Sequence, residues 1–356
     1  MKKNYSAREK LVHYARLIHK RAAQGQLPAS RQLLEMLILW LWRGQGPGYY
    51  QMAGFWRREI PWGDKIAHMN SREYRAAVNR LNPPAYHKLS QNKLAEKGIM
   101  ALFGIAGTEY LGYLEHSVGV DSHGERLRST EELERLLRAF PGDAICFKPV
   151  ESWAGQGFLS LEIQDFRRSG SLRPMHGGEP LTAGELYEQL GIGRGRGFII
   201  ESYFRQHDWY ARLNPSSVNT FRLWVVADRG AAETRVGYLR IGRAGSMVDN
   251  QSAGGIVAPL DLESGRLGPA LDGLPGRETW TAHPDTGTPI AGESPPFLDE
   301  SKALAEHCLD CFPGLRFAGV DVAVGPDGPV IIEMNVSPDR EGAAFADRPT
   351  KQVFSG

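Results

Sequence analysis

Cysteine is scarce: Cys146, Cys308 and Cys311 are the only three in 356 residues. Cys308 and Cys311 form a C-x-x-C within "EHCLDCFPG", but one further cysteine far away cannot complete a four-ligand zinc site without distant histidines. The pair reads as packing residues on a helix, and so low a count suits a reducing cytoplasm. Net charge is also small, at +1, which points to neither nucleic acid nor an anionic surface for the chain as a whole. Long apolar runs are missing. "LLEMLILWLW" is about ten residues, too short to span a bilayer as a helix, and the opening "MKKNYSAREKLVHYARLIHK" lacks the apolar core and cleavage site of a secretory signal. G-x-x-x-x-G-K-[ST] is absent, which excludes a P-loop, and no HRD-type loop supports a protein kinase.

What is present is the composition of an ordinary globular protein, 42 % hydrophobic, in a chain long enough for two or three lobes. Residues 1–43 carry nine Lys/Arg against two acids. That excess reads as a solvated basic helix face, with protein docking or a peripheral membrane contact through the Trp-bearing segment as the alternatives. Residues 1–84 read as helices, since "AREKLVHYARLIHKRAA", "ASRQLLEMLILWLWRG" and "SREYRAAVNRLN" repeat apolar positions at three- and four-residue steps. "NPP" at 82–84 marks a boundary. A helix then follows over "SQNKLAEKGIMALFGIAG", with Ser90 as its expected N-cap.

Beyond it the texture is mixed, an α+β pattern. Helices over "TEELERLLRAF", "TAGELYEQLG" and "DESKALAEHCLDCF" intersperse strands over "AICFKPV", "GFLSLEI", "GFIIESYF", "NTFRLWVVA" and "TRVGYLRIG". The Pro- and Gly-rich stretch from about 262 to 298 reads as a long surface connection. "FAGVDVAV" and "VIIEMNVS" flank the turn "GPDG", the strongest hairpin signal in the chain.

Two clusters carry chemistry. Glu333 and Asn335 are two residues apart and share one strand face, and counting from the turn brings Asp321 nearly opposite Glu333. Two carboxylates and a carboxamide in otherwise apolar strands suit Mg²⁺, which keeps waters and borrows nucleotide phosphates as further ligands. The competing reading, a solvated acidic face, leaves Val320, Val322, Ile332, Met334 and Val336 as the only buried side. The second cluster is "FKPVESWAGQGF". Lys148 ends an apolar strand, and the hairpin carrying Ser152, Gly155, Gln156 and Gly157 can offer backbone N–H donors to phosphates. Arg222, in a strand otherwise apolar, calls for an anion partner unless it snorkels to the surface.

Together and in this order, these segments resemble the ATP-grasp superfamily over about residues 88–345, and are similar to its sugar-transfer-associated and RimK-type glutamate-ligase-related branch. The resemblance implies an ATP-grasp fold: a lobe over 85–200 with the phosphate flap, and a lobe over 201–356 with the metal site. It implies Lys93 as a first ATP-contacting lysine and Lys148 as the second. The hinge "FIIESYF" would put Glu201 beside the nucleoside and backbone groups of Ser202 and Tyr203 on adenine, with His207 near ribose or merely structural. Arg222, Arg240, Asn250, Gly254 and Gly255 would line the acyl-phosphate site, and Asp321, Glu333 and Asn335 would hold Mg²⁺, in two ions with Mn²⁺ as a substitute. The implied activity is ATP-dependent, ADP-forming ligation of a small-molecule carboxylate to an amine, in glycan or secondary-metabolite assembly. A kinase or ester-forming ligase acting on a hydroxyl, or a nucleotide-binding scaffold, is the alternative. The helical front departs from relatives whose first lobe is βαβ-like.

Overall fold

The computed structural model describes residues 6–152, 155–227 and 230–355; Trp153 and Ala154 of the expected flap lie outside the described residues. Two antiparallel sheets organise the chain. The smaller runs, in spatial order, Val120–Asp121, Tyr110–Leu114, Phe198–Ser202, Ala144–Pro149, Leu159–Glu162 and Arg173–Pro174. Helices Thr130–Ala139 and Ala183–Leu190 cover it through Leu133, Leu136, Leu137 and Leu186. Both helices start in complete capping boxes, Ser129 with Glu132 and Thr182 with Glu185, so the backbone N–H groups of the first turn are satisfied by local sequence.

The larger sheet runs Thr279–Trp280, Ala270–Leu271, Ile256–Pro259, Glu233–Ile241, Thr220–Val226, Phe317–Gly325 and Gly328–Asn335. One face packs on helix Leu298–Asp310: Phe221, Leu223, Val225, Leu239, Val320, Val322 and Met334 meet Ala305, Cys308 and Leu309. Both C-x-x-C cysteines are buried and free, as packing residues would be. The other face is split along its length. Trp224, Val226, Val236, Tyr238 and Phe317 lie beneath helices Ala29–Arg43, Pro47–Met52 and Ser71–Leu81. Further along the same strands, with period two, stand Arg222 and Thr220, Arg240, and Asp321, which line a cleft instead.

Several expectations change. The helical front is a cover for the larger sheet, and Asn82, placed at a boundary by sequence, is fully buried. Its side-chain amide donates to the carbonyls of Phe317 and Val336, both at 2.7 Å, and its oxygen accepts from the amides of Arg316 and Phe317. Ser90 is not the N-cap. A short helix, Lys88–Gln91, precedes the main one, Lys93–Leu102, and Asn92 caps the latter, accepting from the Ala95 amide at 3.1 Å. Buried Ser90 donates to the Met334 carbonyl. The stretch 262–298 is not all surface loop, because Ala270–Leu271 and Thr279–Trp280 extend the larger sheet and Leu267 and Ile290 enter its core. No helix among the described residues is long and apolar enough to cross a membrane.

Candidate active site

The cleft between the two sheets has a volume of about 210 Å³. Its upper wall comes from the smaller sheet. Lys148 ends strand Ala144–Pro149, which pairs with Phe198–Ser202 in a register that sets Cys146 opposite Glu201, so the side chains of Lys148 and Glu201 share a face. Glu201 is wholly buried and takes two cations: Lys148 Nζ at 2.5 Å on Oε2, and Lys97 Nζ at 2.9 Å on Oε1. The second contact is an ion pair, and Lys97 also donates to Thr108 Oγ1 at 2.9 Å. Burial pushes Glu201 up, but Lys148 and Lys97 outweigh it and hold the carboxyl at about 2. Burial works against the Lys148 ammonium as well, and Glu201 reverses that and raises it. Cys146 also lines the cleft; burial lifts its thiol to about 12, which removes it as a nucleophile.

The floor comes from the larger sheet. Asp321 and Glu333 are direct register partners, as the sequence count anticipated, and Asn335 lies two residues on. A bulge after Asp321 changes the next pair to Val322 with Ile331. Ile331, rather than Ile332, therefore enters the core, and Ile332 joins Glu333 in the cleft. Asp321 is held by two arginines: Arg222 binds it through both Nε and Nη2, the latter at 2.9 Å, and Arg240 Nη1 reaches it at 2.9 Å. The anion partner expected for Arg222 is thus Asp321 itself. Burial would raise the Asp321 carboxyl, and Arg222 with Arg240 bring it below the ordinary value. Arg240 continues to Asp249 Oδ1 at 2.6 Å and to the Asn250 side-chain oxygen, while Thr220 donates to the other Asp249 oxygen.

Helix Lys93–Leu102 closes one end. Lys93 donates to the Ser152 carbonyl at 3.2 Å and its amide to the Val150 carbonyl at 3.0 Å, tying the helix to the base of the flap. Gly155 and Gly157 both take positive φ, +71° and +76°. A Cβ on Gly155 would stand 2.7 Å from Val248, so the flap tip rests against the loop that carries Asp249 and Asn250. Ser152, Gly155 and Gln156 line the cleft, whereas Gly157 lines a shallow pocket beside Arg196.

Other expected positions land elsewhere. His207 caps helix Asp208–Leu213, its Nδ1 accepting from the Trp209 amide at 3.1 Å, and its ring packs edge-on against Tyr210 and Phe297; it does not line the cleft. Gly254 and Gly255 sit behind the loop, where a Cβ on Gly255 would meet the Asp249 carbonyl at 2.2 Å. Ser202 and Tyr203 line the cleft, but their amides already donate to the carbonyls of Glu109 and Ala144, each at 3.0 Å. Sequence reasoning passed over Lys97, Thr220 and Asp249. Lys97 had a signal, lying one helical turn after Lys93 on the same face; Asp249 had none beyond adjacency to Asn250. Buried Glu96, which accepts from the Met334 amide at 2.6 Å, was missed too; burial first and Glu333 next raise it to about 8.

The donor set at the floor fits a hard cation. Among the described residues no side chain or amide donates a hydrogen bond to Glu333 or to the Asn335 carboxamide oxygen, and both face the cleft beside Asp321.

A family model described as sugar-transfer associated ATP-grasp matches residues 71–349. No curated protein matches the chain. Solved structures with a similar course include the D-alanine–D-alanine ligase from Coxiella burnetii, with a TM-score of 0.38 and 13 % identity over 70 % of this chain and 48 % of that one. N5-carboxyaminoimidazole synthase from Aspergillus clavatus gives 0.41 and 10 % over 79 % and 59 %. A D-cycloserine synthetase gives 0.43 and 10 % over 87 % and 82 %. The chain spans 48 % and 59 % of the first two of these proteins.

Proposed function

The chain belongs to the sugar-transfer associated ATP-grasp family, and from that premise we propose that it is an ATP- and Mg²⁺-dependent ligase joining a small-molecule carboxylate to an amine. The observation that carries this reading is the pairing of opposite walls: Lys148, held from behind by Glu201, and Lys93 line one side of a cleft whose other side carries the unpartnered oxygens of Glu333 and Asn335 beside Asp321. Ammonium groups on one side and hard oxygen donors on the other are what a nucleotide polyphosphate with its cation requires.

In this reading Lys148 and Lys93 take the phosphates of ATP, while Glu201 keeps the buried end of Lys148 fixed so that its ammonium is aimed before substrate arrives. Because the Ser202 and Tyr203 amides are spent within the protein, adenine is read by carbonyl oxygens of the hinge and by the amide of Phe204, which also lines the cleft. Asp321, Glu333 and Asn335 would hold Mg²⁺, which when bound would supply neutralisation of phosphate charge. The substrate carboxylate attacks the γ-phosphorus, the bond to the β-phosphate oxygen breaks, and ADP leaves. The amine then attacks the acyl phosphate carbonyl and phosphate departs. Arg222 and Arg240 share their charge between Asp321 and the oxygens that become more negative during transfer. The flap, seated on Val248, excludes water that would hydrolyse the activated acid.

The test is to incubate the protein with Mg-ATP and pools of acids and amines while following ADP and phosphate. ADP release that needs both an acid and an amine supports the ligase. ADP with an alcohol in place of the amine moves the assignment to phosphorylation or ester formation, and none across broad pools rejects catalysis.

A further inference from the structure

The helix Ala29–Arg43 buries only one side: Gln32, Glu35, Met36 and Leu39 face the protein. At 100° per residue the opposite side carries Trp40, Leu33, Leu37, Leu41 and Leu34 in an arc of about 120°, broken only by Ser30 in the first turn, and with no charged side chain. These residues are not marginally exposed. Leu33 and Leu34 are each 56 % accessible, Trp40 58 % and Leu41 71 %, and Trp42 at the helix end is 63 % accessible. A soluble surface seldom leaves so much contiguous apolar area uncovered on one element.

The rim of this arc has a sign. Arg31 flanks it with its side chain 59 % exposed and its Nε on Glu35 Oε1 at 3.0 Å, and the neighbouring helix Ala7–Ala23 presents exposed Arg16 and Lys20. Residues 1–43 contain two acids, and of these Glu35 is buried against Lys65 and Tyr50, leaving Glu9 as the exposed one. The composition is that of a surface that inserts Leu and Trp into the headgroup boundary while cations meet anionic headgroups. A protein partner would call for polar groups to set its register, and the arc offers only the Trp40 indole and the Ser30 hydroxyl. A second copy is disfavoured by the flanking cations, which would meet their own kind across a two-fold axis.

We propose that helix Ala29–Arg43 is an in-plane docking element for an anionic lipid surface, with Leu33, Leu34, Leu37, Trp40 and Leu41 entering the interface and Arg16, Lys20 and Arg31 at its rim. At 15 residues the helix is about 22 Å long and lies along the surface rather than across it. Its inserted side is the one turned away from the larger sheet, so docking leaves the cleft open to soluble substrates. This inference does not depend on the ligase reading.

Sedimentation of the full chain with lipid vesicles tests it. Vesicles of phosphatidylcholine with roughly 30 % phosphatidylglycerol should pellet the protein, pure phosphatidylcholine should pellet much less, and about 0.5 M salt should weaken the anionic arm. Leu37→Glu, at a half-exposed position outside the buried core, should lower the partition about tenfold or more while leaving the thermal melt close to wild type. Failure to pellet with anionic vesicles overturns the proposal. So does a dimer in solution that Leu37→Glu splits, which would assign the arc to a second copy.

Discussion

Replacing Glu201 with glutamine keeps the side-chain volume and removes one charge at a point where two buried ammonium groups converge. The carboxyl titrates at about 2 in the folded chain against 4.5 unperturbed. That difference corresponds to about 3 kcal/mol of interaction favouring the ionised form, the same order as the roughly 3–5 kcal/mol lost when one partner of a buried ion pair is deleted. Glu201→Gln should therefore destabilise the nucleotide-free protein by about 3 kcal/mol at pH 7, read as a fall in the urea midpoint at constant slope. The sign with pH follows from the lowered value. The stabilisation is complete above the unfolded value near 4.5 and is lost as pH falls toward about 2, so the wild type and variant curves should converge in acid. Mg²⁺ with a non-hydrolysable ATP analogue should recover more stability in the variant than in the wild type, because phosphates then supply the missing negative charge. A variant within about 0.5 kcal/mol of wild type at pH 7 would refute the claim that Glu201 holds Lys148 and Lys97.

Further outcomes are expected from the same geometry. Lys148→Ala should reduce nucleotide-dependent turnover by about a hundredfold or more, the scale of one preorganised charged contact, and unchanged turnover would remove it from the site. Glu333→Gln should abolish Mg²⁺-dependent ADP formation with a melt close to wild type, since Glu333 accepts no hydrogen bond from a described residue; a large loss of stability would make it structural. Glu96 titrates at about 8, above its unfolded value, so stability falls as pH rises from about 4.5 through 8. With chelator present, Glu96→Gln should match wild type near pH 5 and exceed it at pH 9 by on the order of 4 kcal/mol, checked by urea unfolding at both pH values. Gly155→Val, forced into positive φ and against Val248, should slow turnover without shifting the main unfolding transition.

Much of this molecule was legible in one dimension because it rests on local rules. Period-two alternation and a Gly-containing turn announced the hairpin Phe317–Gly325 with Gly328–Asn335, and antiparallel counting then set Asp321 across from Glu333. Apolar spacing over "TEELERLLRAF" and "TAGELYEQLG" announced the helices Thr130–Ala139 and Ala183–Leu190. An apolar strand ending in Lys148 before paired glycines announced one wall of the cleft.

The tertiary structure decided what depends on two segments meeting. Arg222 and Arg240, at sequence separations of 99 and 81 from Asp321, share its carboxylate only because strand Thr220–Val226 pairs with Phe317–Gly325 and Glu233–Ile241 lies next beyond it. A single bulged residue sent Ile331 inward and Ile332 into the cleft, a change no alternation pattern shows. The resemblance put backbone groups of Ser202 and Tyr203 on adenine, and their amides are spent on Glu109 and Ala144, since hydrogen-bond partners are assigned by chain pairing rather than by residue type. The N-terminal helices read from periodicity as amphipathic, but a period cannot tell what lies on either side. Packing on Trp224, Tyr238 and Phe317 chose the face that is buried, and so determined which leucines and tryptophans were left outside.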